Sequence, residues 1–107
     1  MRFGGRKHAN QRDANEPEIV EGLRAIGATV CPLNVPCDLL VGYRSLNYLL
    51  EVKLPLGPRG GHGGSVLTDD QREFAQTWRG QFNVVRSLHE ALEIIGAVKP
   101  RPRSAPR

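Results

Sequence analysis

The 107-residue chain is predicted to form one layered α/β domain, ordered helix, three strands, helix, strand, helix around a mixed four-stranded sheet. Three observations carry that expectation. Ile19, Val20, Leu23 and Ile26 recur at helical spacing and make one apolar stripe. Two runs rich in aliphatic and aromatic residues, DLLVGY (38–43) and NYLLEVKL (47–54), stand a few residues apart and read as an antiparallel hairpin. A capping sequence at Thr68 then opens a helix before the next strand-like run, FNVVRS (82–87), so a crossover helix returns that strand to the sheet.

The elements follow in order. The first helix is expected over about 16–26: Asn15 and Glu18 are spaced as a capping box, Pro17 lies in the first turn where its missing N–H costs little, and Gly27 ends the helix. The segment ATVCPL is a short strand ending near Pro32, and the hairpin follows a turn rich in proline and asparagine. A Gly/Pro-rich loop runs from Pro55 to Gly64. Thr68 with Gln71 forms a second capping box, and the helix it opens extends to about Trp78, with Phe74 and Trp78 one turn apart on a face expected to be core. Gly80 ends that helix. Ser87 with Glu90 caps a last helix carrying Leu88, Ala91, Leu92 and Ile95.

Length allows one domain and leaves no room for two. The folded unit is expected over residues 13–96. Residues 1–12 read as a flexible basic arm and residues 97–107 as a basic, proline-rich extended tail. Each end carries four Lys or Arg and no acid, whereas all eleven acids lie between them, so two basic arms flank an acidic body. Such arms can neutralise the phosphates of a polyanion, although basic tails also serve plain solubility. No apolar run approaches the roughly 18 residues a membrane helix needs. No signal peptide is legible, so a cytoplasmic protein without a membrane partner is expected. Cys31 and Cys37 then read as free thiols. With His8, His62 and His89 scattered, they lack the ligand spacing of a zinc site.

The residues that point to chemistry are Asp38, Glu51 and Lys53. Side chains alternate along a strand, so Glu51 and Lys53 share a face and Val52 takes the other. If the hairpin turns between Arg44 and Ser45, Asp38 lies across from Glu51, and facing residues have Cβ atoms about 4.5–5.5 Å apart. Glu-x-Lys on a strand is often only a solvated sheet face. Here the two charges interrupt the apolar run YLLEVKL, where they are costly without partners. Two close carboxylates suit a hard divalent cation, which needs one or two of them plus water and substrate phosphate. The Val52 carbonyl is available as a further oxygen ligand, and Lys53 can orient or deprotonate a water and offset transition-state charge.

The segments D-L-L-V-G, Y-L-L-E-V-K and L-T-D-D-Q-R-E-F, in that order, resemble the PD-(D/E)XK nucleases, with the nearest likeness in the VRR-NUC and Holliday-junction-resolvase branch. The closing WRGQFNVVRSLHEALEIIG is similar to the tail segment of small phage and prophage members, so the likeness spans about residues 13–96. It implies a restriction-endonuclease-like fold and a DNA endonuclease using Mg²⁺, with Mn²⁺ substituting. It further implies possible selectivity for branched DNA, and a phage or prophage protein acting in the bacterial cytoplasm. Asp38 matches the motif aspartate, Glu51 the second metal-binding acid, Lys53 the lysine, and Gln71 a glutamine that orders the site or the phosphate. Glu18 from the first helix is the expected further metal ligand, with Glu16 next in line. One departure stands out: Cys37 precedes Asp38, and the proline lies one place earlier, at Pro36.

Other residues have readings of their own. The loop LGPRGGHGGS lacks the order of a phosphate-binding P-loop, but Arg59 or His62 within it can touch phosphate, as can Arg6, Lys7 and Arg12 of the arm. Asp69 and Asp70 favour the positive end of their helix. Arg24, Arg72 and Arg79 read as solvated helix surface. Because junction cleavage takes two active sites, a homodimer is expected to be compatible with the reading, and a partner protein can supply specificity to so small a domain. The rival readings are a non-catalytic DNA-binding module and a phage accessory protein that retain the fold.

Overall fold

The computed structural model describes residues 13–57 and 66–100 of the chain. Its elements are α1 (Glu16–Ala25), β1 (Thr29–Pro32), β2 (Leu39–Tyr43), β3 (Leu46–Val52), α2 (Asp69–Thr77), β4 (Phe82–Val85) and α3 (Leu88–Ile94). The order matches the expected one. Strands run β1-β2-β3-β4 across the sheet, the first three antiparallel and β4 parallel to β3. Arg6, Lys7, Arg12, Arg59 and His62 lie outside the described residues, as does most of the C-terminal tail.

The hairpin fixes the register on which the site depends. Leu39 pairs with Leu50 and Tyr43 with Leu46, so paired positions sum to 89, the value expected for a turn centred between Arg44 and Ser45. Both turn residues have positive φ, 52° and 68°, the left-handed geometry whose twist matches a two-residue hairpin. Neither is Asn or Gly, so the turn costs about 1–2 kcal/mol per residue. The sheet pairing must outweigh that. Arg44 lays its guanidinium over the Tyr43 ring at 5.0 Å.

Alternation along the strands divides the sheet into two unlike faces. Val30, Leu39, Val41, Tyr48, Leu50, Val52 and Val85 turn to one face and pack against Ile19 and Leu23 of α1 and Ala91 and Ile95 of α3. The two helices approach closely at Gly22, where an added Cβ would overlap the Leu88 side chain. α1 ends at Gly27, whose φ of +94° suits glycine, while the Ala28 N–H returns to the Leu23 carbonyl. Leu50 is fully buried at the centre of this core. Leu50→Ala is expected to cost about 2–5 kcal/mol, read as a lower midpoint of urea unfolding at unchanged slope.

Three local expectations need correction. Asn15 makes no side-chain cap on α1 and its own backbone is helical, at φ −85° and ψ −5°. Its amide is committed elsewhere, as described below, so Asn15 and Glu18 form no capping box. Phe74 and Trp78 stack at a centroid distance of 5.3 Å, but neither enters the core: no residue of α2 is buried, and Trp78 is 46% exposed. Phe74 instead meets Phe82 edge to face on the sheet surface opposite α1 and α3, which α2 covers only in part. Finally, the tail begins later than expected. Ala97 packs on the core, and the Ala97 and Val98 amides both return to the Leu92 carbonyl. No described helix is long and apolar enough to cross a membrane.

Candidate functional site

Glu51 and Lys53 turn away from the α1/α3 core, towards α2. Glu51 is 2% exposed, Lys53 7% and Asp38 3%. Ionisable side chains buried to this degree need charge partners or hydrogen bonds. Each has them, and the partners come from several separate elements.

Asp38 stands one residue before the first paired position of β2, so the register carries it across from Glu51. The Lys53 N–H points to β4, donating to the Val85 carbonyl. By alternation, the Val52 N–H points the other way, to where β2 pairing has ended. Asp38 Oδ2 accepts that N–H at 2.8 Å. The carboxylate thereby extends the ladder by one bond in place of a backbone carbonyl. Residues 33–38 form the loop that delivers it, closed by the Leu33 N–H on the Asp38 carbonyl at 2.6 Å.

Glu51 Oε2 is held from two sides. Gln71 Nε2 donates to it at 2.8 Å, and Lys53 Nζ lies 3.6 Å away. Gln71 also completes the capping box of α2: its Oε1 accepts the Thr68 N–H at 2.9 Å while Thr68 Oγ1 accepts the Gln71 N–H. One amide therefore caps the helix with its oxygen and steadies the acid with its nitrogen. The two roles that the sequence leaves as alternatives coexist, because an amide is acceptor and donor at opposite ends.

A cavity of about 740 Å³ opens beside Glu51, lined by Asn34, Val35, Pro36, Thr68, Asp70, Gln71 and Phe74 as well. It gives a ligand a way in from solvent to the buried carboxylate. Phe74 forms part of this wall and so has a place at the site that its expected core role did not include.

The helix acid is resolved differently from the expectation. Glu18 is exposed on α1, whereas Glu16 is 5% exposed. The reason is orientation within the first turn: Glu16 lies on the inner side next to Asn15, and Glu18 two positions on faces solvent. Glu16 also lines a cavity of about 560 Å³ along α1 with Asp13, Val20, Glu21 and Arg24. Among the described residues no three His, Cys, Asp or Glu side chains group tightly enough to hold a metal ion. The structure thus brings together Asp38, Glu51, Lys53 and Gln71 and leaves Glu18 apart.

The donor chemistry nevertheless fits a hard divalent cation. Asp38 and Glu51 supply two neighbouring carboxylates, and Glu51 Oε1 is a buried oxygen without a hydrogen bond while Oε2 is engaged. The Val52 carbonyl points to the same strand edge as its N–H, hence to the Asp38 side. Oxygens of this kind, completed by water and substrate, are what Mg²⁺ takes. Cys31 is exposed and Cys37 buried, the Cys37 thiol donating to the Leu39 carbonyl, and neither belongs to this set.

Two contributors escape a sequence reading. Asn15 Nδ2 donates to the Lys53 carbonyl at 3.0 Å and to the Arg86 carbonyl at 3.1 Å, tying the start of α1 to the ends of β3 and β4. Arg86 follows β4 and donates from its guanidinium to the Leu54 carbonyl at 2.8 Å. The apolar run FNVVRS marks a strand but not its neighbour, so only the parallel β3–β4 pairing places Arg86 beside the site. Arg24 and Arg72 are committed elsewhere, to the Val30 carbonyl and to Asp69 with the Leu67 carbonyl.

Comparison with protein-family models, curated proteins and solved structures finds no match for this chain.

Proposed function

We propose that the chain is a metal-dependent DNA endonuclease with a restriction-endonuclease-like arrangement of its α/β layers. One observation carries the reading: Asp38, Glu51 and Lys53 are buried together at the ends of adjacent strands, with Gln71 bonded to Glu51. Burying two carboxylates and an amine costs stability unless they are paired, and apolar residues would cover the sheet more cheaply. The sequence pI of about 9.6 and the order of motifs support a nucleic-acid substrate.

Asp38, Glu51 and the Val52 carbonyl would hold Mg²⁺, or Mn²⁺ in its place. When bound, such an ion supplies positive charge that polarises a phosphate and acidifies water. Lys53 orients the attacking water and offsets charge gathering on the phosphate oxygens. Gln71 keeps the Glu51 carboxylate in one orientation, and Asp38 is fixed by its bond to the Val52 N–H. Water adds to phosphorus in line, the bond from phosphorus to the 3′ oxygen breaks, and the proton released from water ends on that oxygen. The products are a 5′-phosphate and a 3′-hydroxyl.

A second reading, a DNA-binding module without turnover, draws on the structural service that Asp38 performs for the Val52 N–H. A non-catalytic chain would retain that bond for stability alone. Labelled duplex, single-stranded and four-way-junction DNA, incubated with Mg²⁺ or Mn²⁺, separate the two. Cleavage that stops on chelation with EDTA is expected. DNA binding with no cleavage of any substrate under either metal would favour the second reading.

A further inference from the structure

The parallel pairing of β3 and β4 places a second cation at the site. Glu51 pairs with Val84 and Val52 with Val85, and the Lys53 N–H continues the ladder onto the Val85 carbonyl. Extended by one residue, the same register sets Arg86 beside Lys53. Val52 and Val85 are both buried in the helix-covered core, and just past the end of β4 the Arg86 guanidinium reaches the carbonyl of Leu54, the residue after Lys53.

Neighbouring like charges on adjacent strands are destabilising. The structure does not let these two drift apart. Asn15 holds the carbonyls of both residues with one amide, and the Leu54 carbonyl anchors the Arg86 guanidinium. The Arg86 N–H is itself held by Glu90 Oε1 at 2.6 Å. Glu51 accounts for the charge of Lys53 at 3.6 Å. Two cations fixed side by side at the open end of a sheet, beside a carboxylate pair, make a seat for a doubly contacted oxyanion.

We infer that Arg86 contacts a backbone phosphate of the nucleic acid, seated next to Lys53 by the register of β3 and β4 and by the Asn15 amide. The inference rests on the DNA-cleaving reading and adds a substrate-binding residue to it. A guanidinium presents a planar fork of donors that matches phosphate geometry, and a fork already anchored loses little further freedom on binding.

Salt dependence isolates a phosphate contact from a structural role. Each neutralised phosphate contributes about 0.9 to the slope of log affinity against log salt on duplex DNA. Binding of a fluorescent duplex is measured without divalent metal, so that no cleavage occurs, for the wild type, Arg86→Gln and Arg86→Lys over a salt series. The slope is expected to become shallower by about 0.9 in Arg86→Gln and to return in Arg86→Lys, which restores the charge. An unchanged slope in a folded Arg86→Gln, with the wild type binding normally, would overturn the inference and leave the nuclease reading intact. No salt-dependent binding by the wild type would overturn both. If Arg86→Gln melts well below the wild type, the salt series is run at a temperature at which the variant remains folded, and the same two outcomes decide.

Discussion

Lys53→Met is expected to lower the rate of metal-dependent DNA cleavage by about 10²–10⁴-fold, the usual contribution of a positioned acid–base group. Methionine keeps most of the buried stem, so packing against the sheet survives. What disappears is the charge 3.6 Å from Glu51 Oε2. Breaking a buried pair costs about 3–5 kcal/mol. Gln71 still donates to the same oxygen, which places the loss at or below that range. A second change then separates stability from chemistry. In the Glu51→Gln, Lys53→Met double variant neither charge remains, so its melting temperature is expected to exceed that of Lys53→Met while activity stays absent. Single-turnover cleavage and thermal melts of the wild type and both variants check this. Wild-type rates in Lys53→Met would remove the lysine from the mechanism.

Asp38→Asn and Asp38→Ala are expected to part company for a reason visible in one hydrogen bond. The Val52 N–H at 2.8 Å needs an acceptor, and an asparagine side-chain oxygen can serve. Asp38→Asn should therefore fold with a loss of about 1 kcal/mol, the difference between a charged and a neutral acceptor. It still removes a carboxylate from the proposed metal site, worth about 3 kcal/mol or more of transition-state stabilisation, so cleavage falls about 10²-fold or more. Asp38→Ala leaves the buried N–H without its acceptor and adds about 1–3 kcal/mol of destabilisation. Denaturant titration beside cleavage of the same DNA tests both halves. Equal stability of the two variants would show that the Asp38 bond does not hold the sheet edge, and full activity in Asp38→Asn would take that carboxylate out of the catalytic set.

Much of the site was legible because a hairpin is a local structure. Asp38, Glu51 and Lys53 lie within a short stretch of chain, and a two-residue turn sets every pairing once its centre is known. The turn centre between Arg44 and Ser45 enters that reading as a condition, with no Asn-Gly signal to fix it, and the observed pairing meets the condition. Gln71 was legible for a related reason: Thr68 and Gln71 belong to one helix turn. That its free amide end would meet Glu51 required knowing where α2 lies over the sheet.

The helix acid shows where local reasoning stops. Glu16 and Glu18 are both in the first turn of α1, and the spacing Asn15–Glu18 favours a capping box. The structure spends the Asn15 amide on Lys53 and Arg86 instead, two bonds that span |i−j| of 38 and 71. The rotation of α1 that buries Ile19 and Leu23 leaves Glu18 on the solvent face and Glu16 buried. Propensity at a helix start is worth about 1 kcal/mol, a preference that two tertiary hydrogen bonds to the ends of two strands can override.

By itself the sequence determined the order of elements, the sharing of one sheet face by Glu51 and Lys53, the capping of α2, and the hairpin register once its turn is centred between Arg44 and Ser45, all consequences of periodicity and of contacts between residues near in the chain. Tertiary structure alone decided which strand neighbours β3 on its far side, and hence that Arg86 sits beside Lys53. It also decided that Asn15 locks those two ends, that Glu16 rather than Glu18 is buried, and that Phe74 walls a cavity instead of filling the core. The physical reason is common to all four. Each depends on how separate layers dock, and docking is settled by the fit of whole faces and the satisfaction of buried polar groups, which no window of sequence encodes on its own.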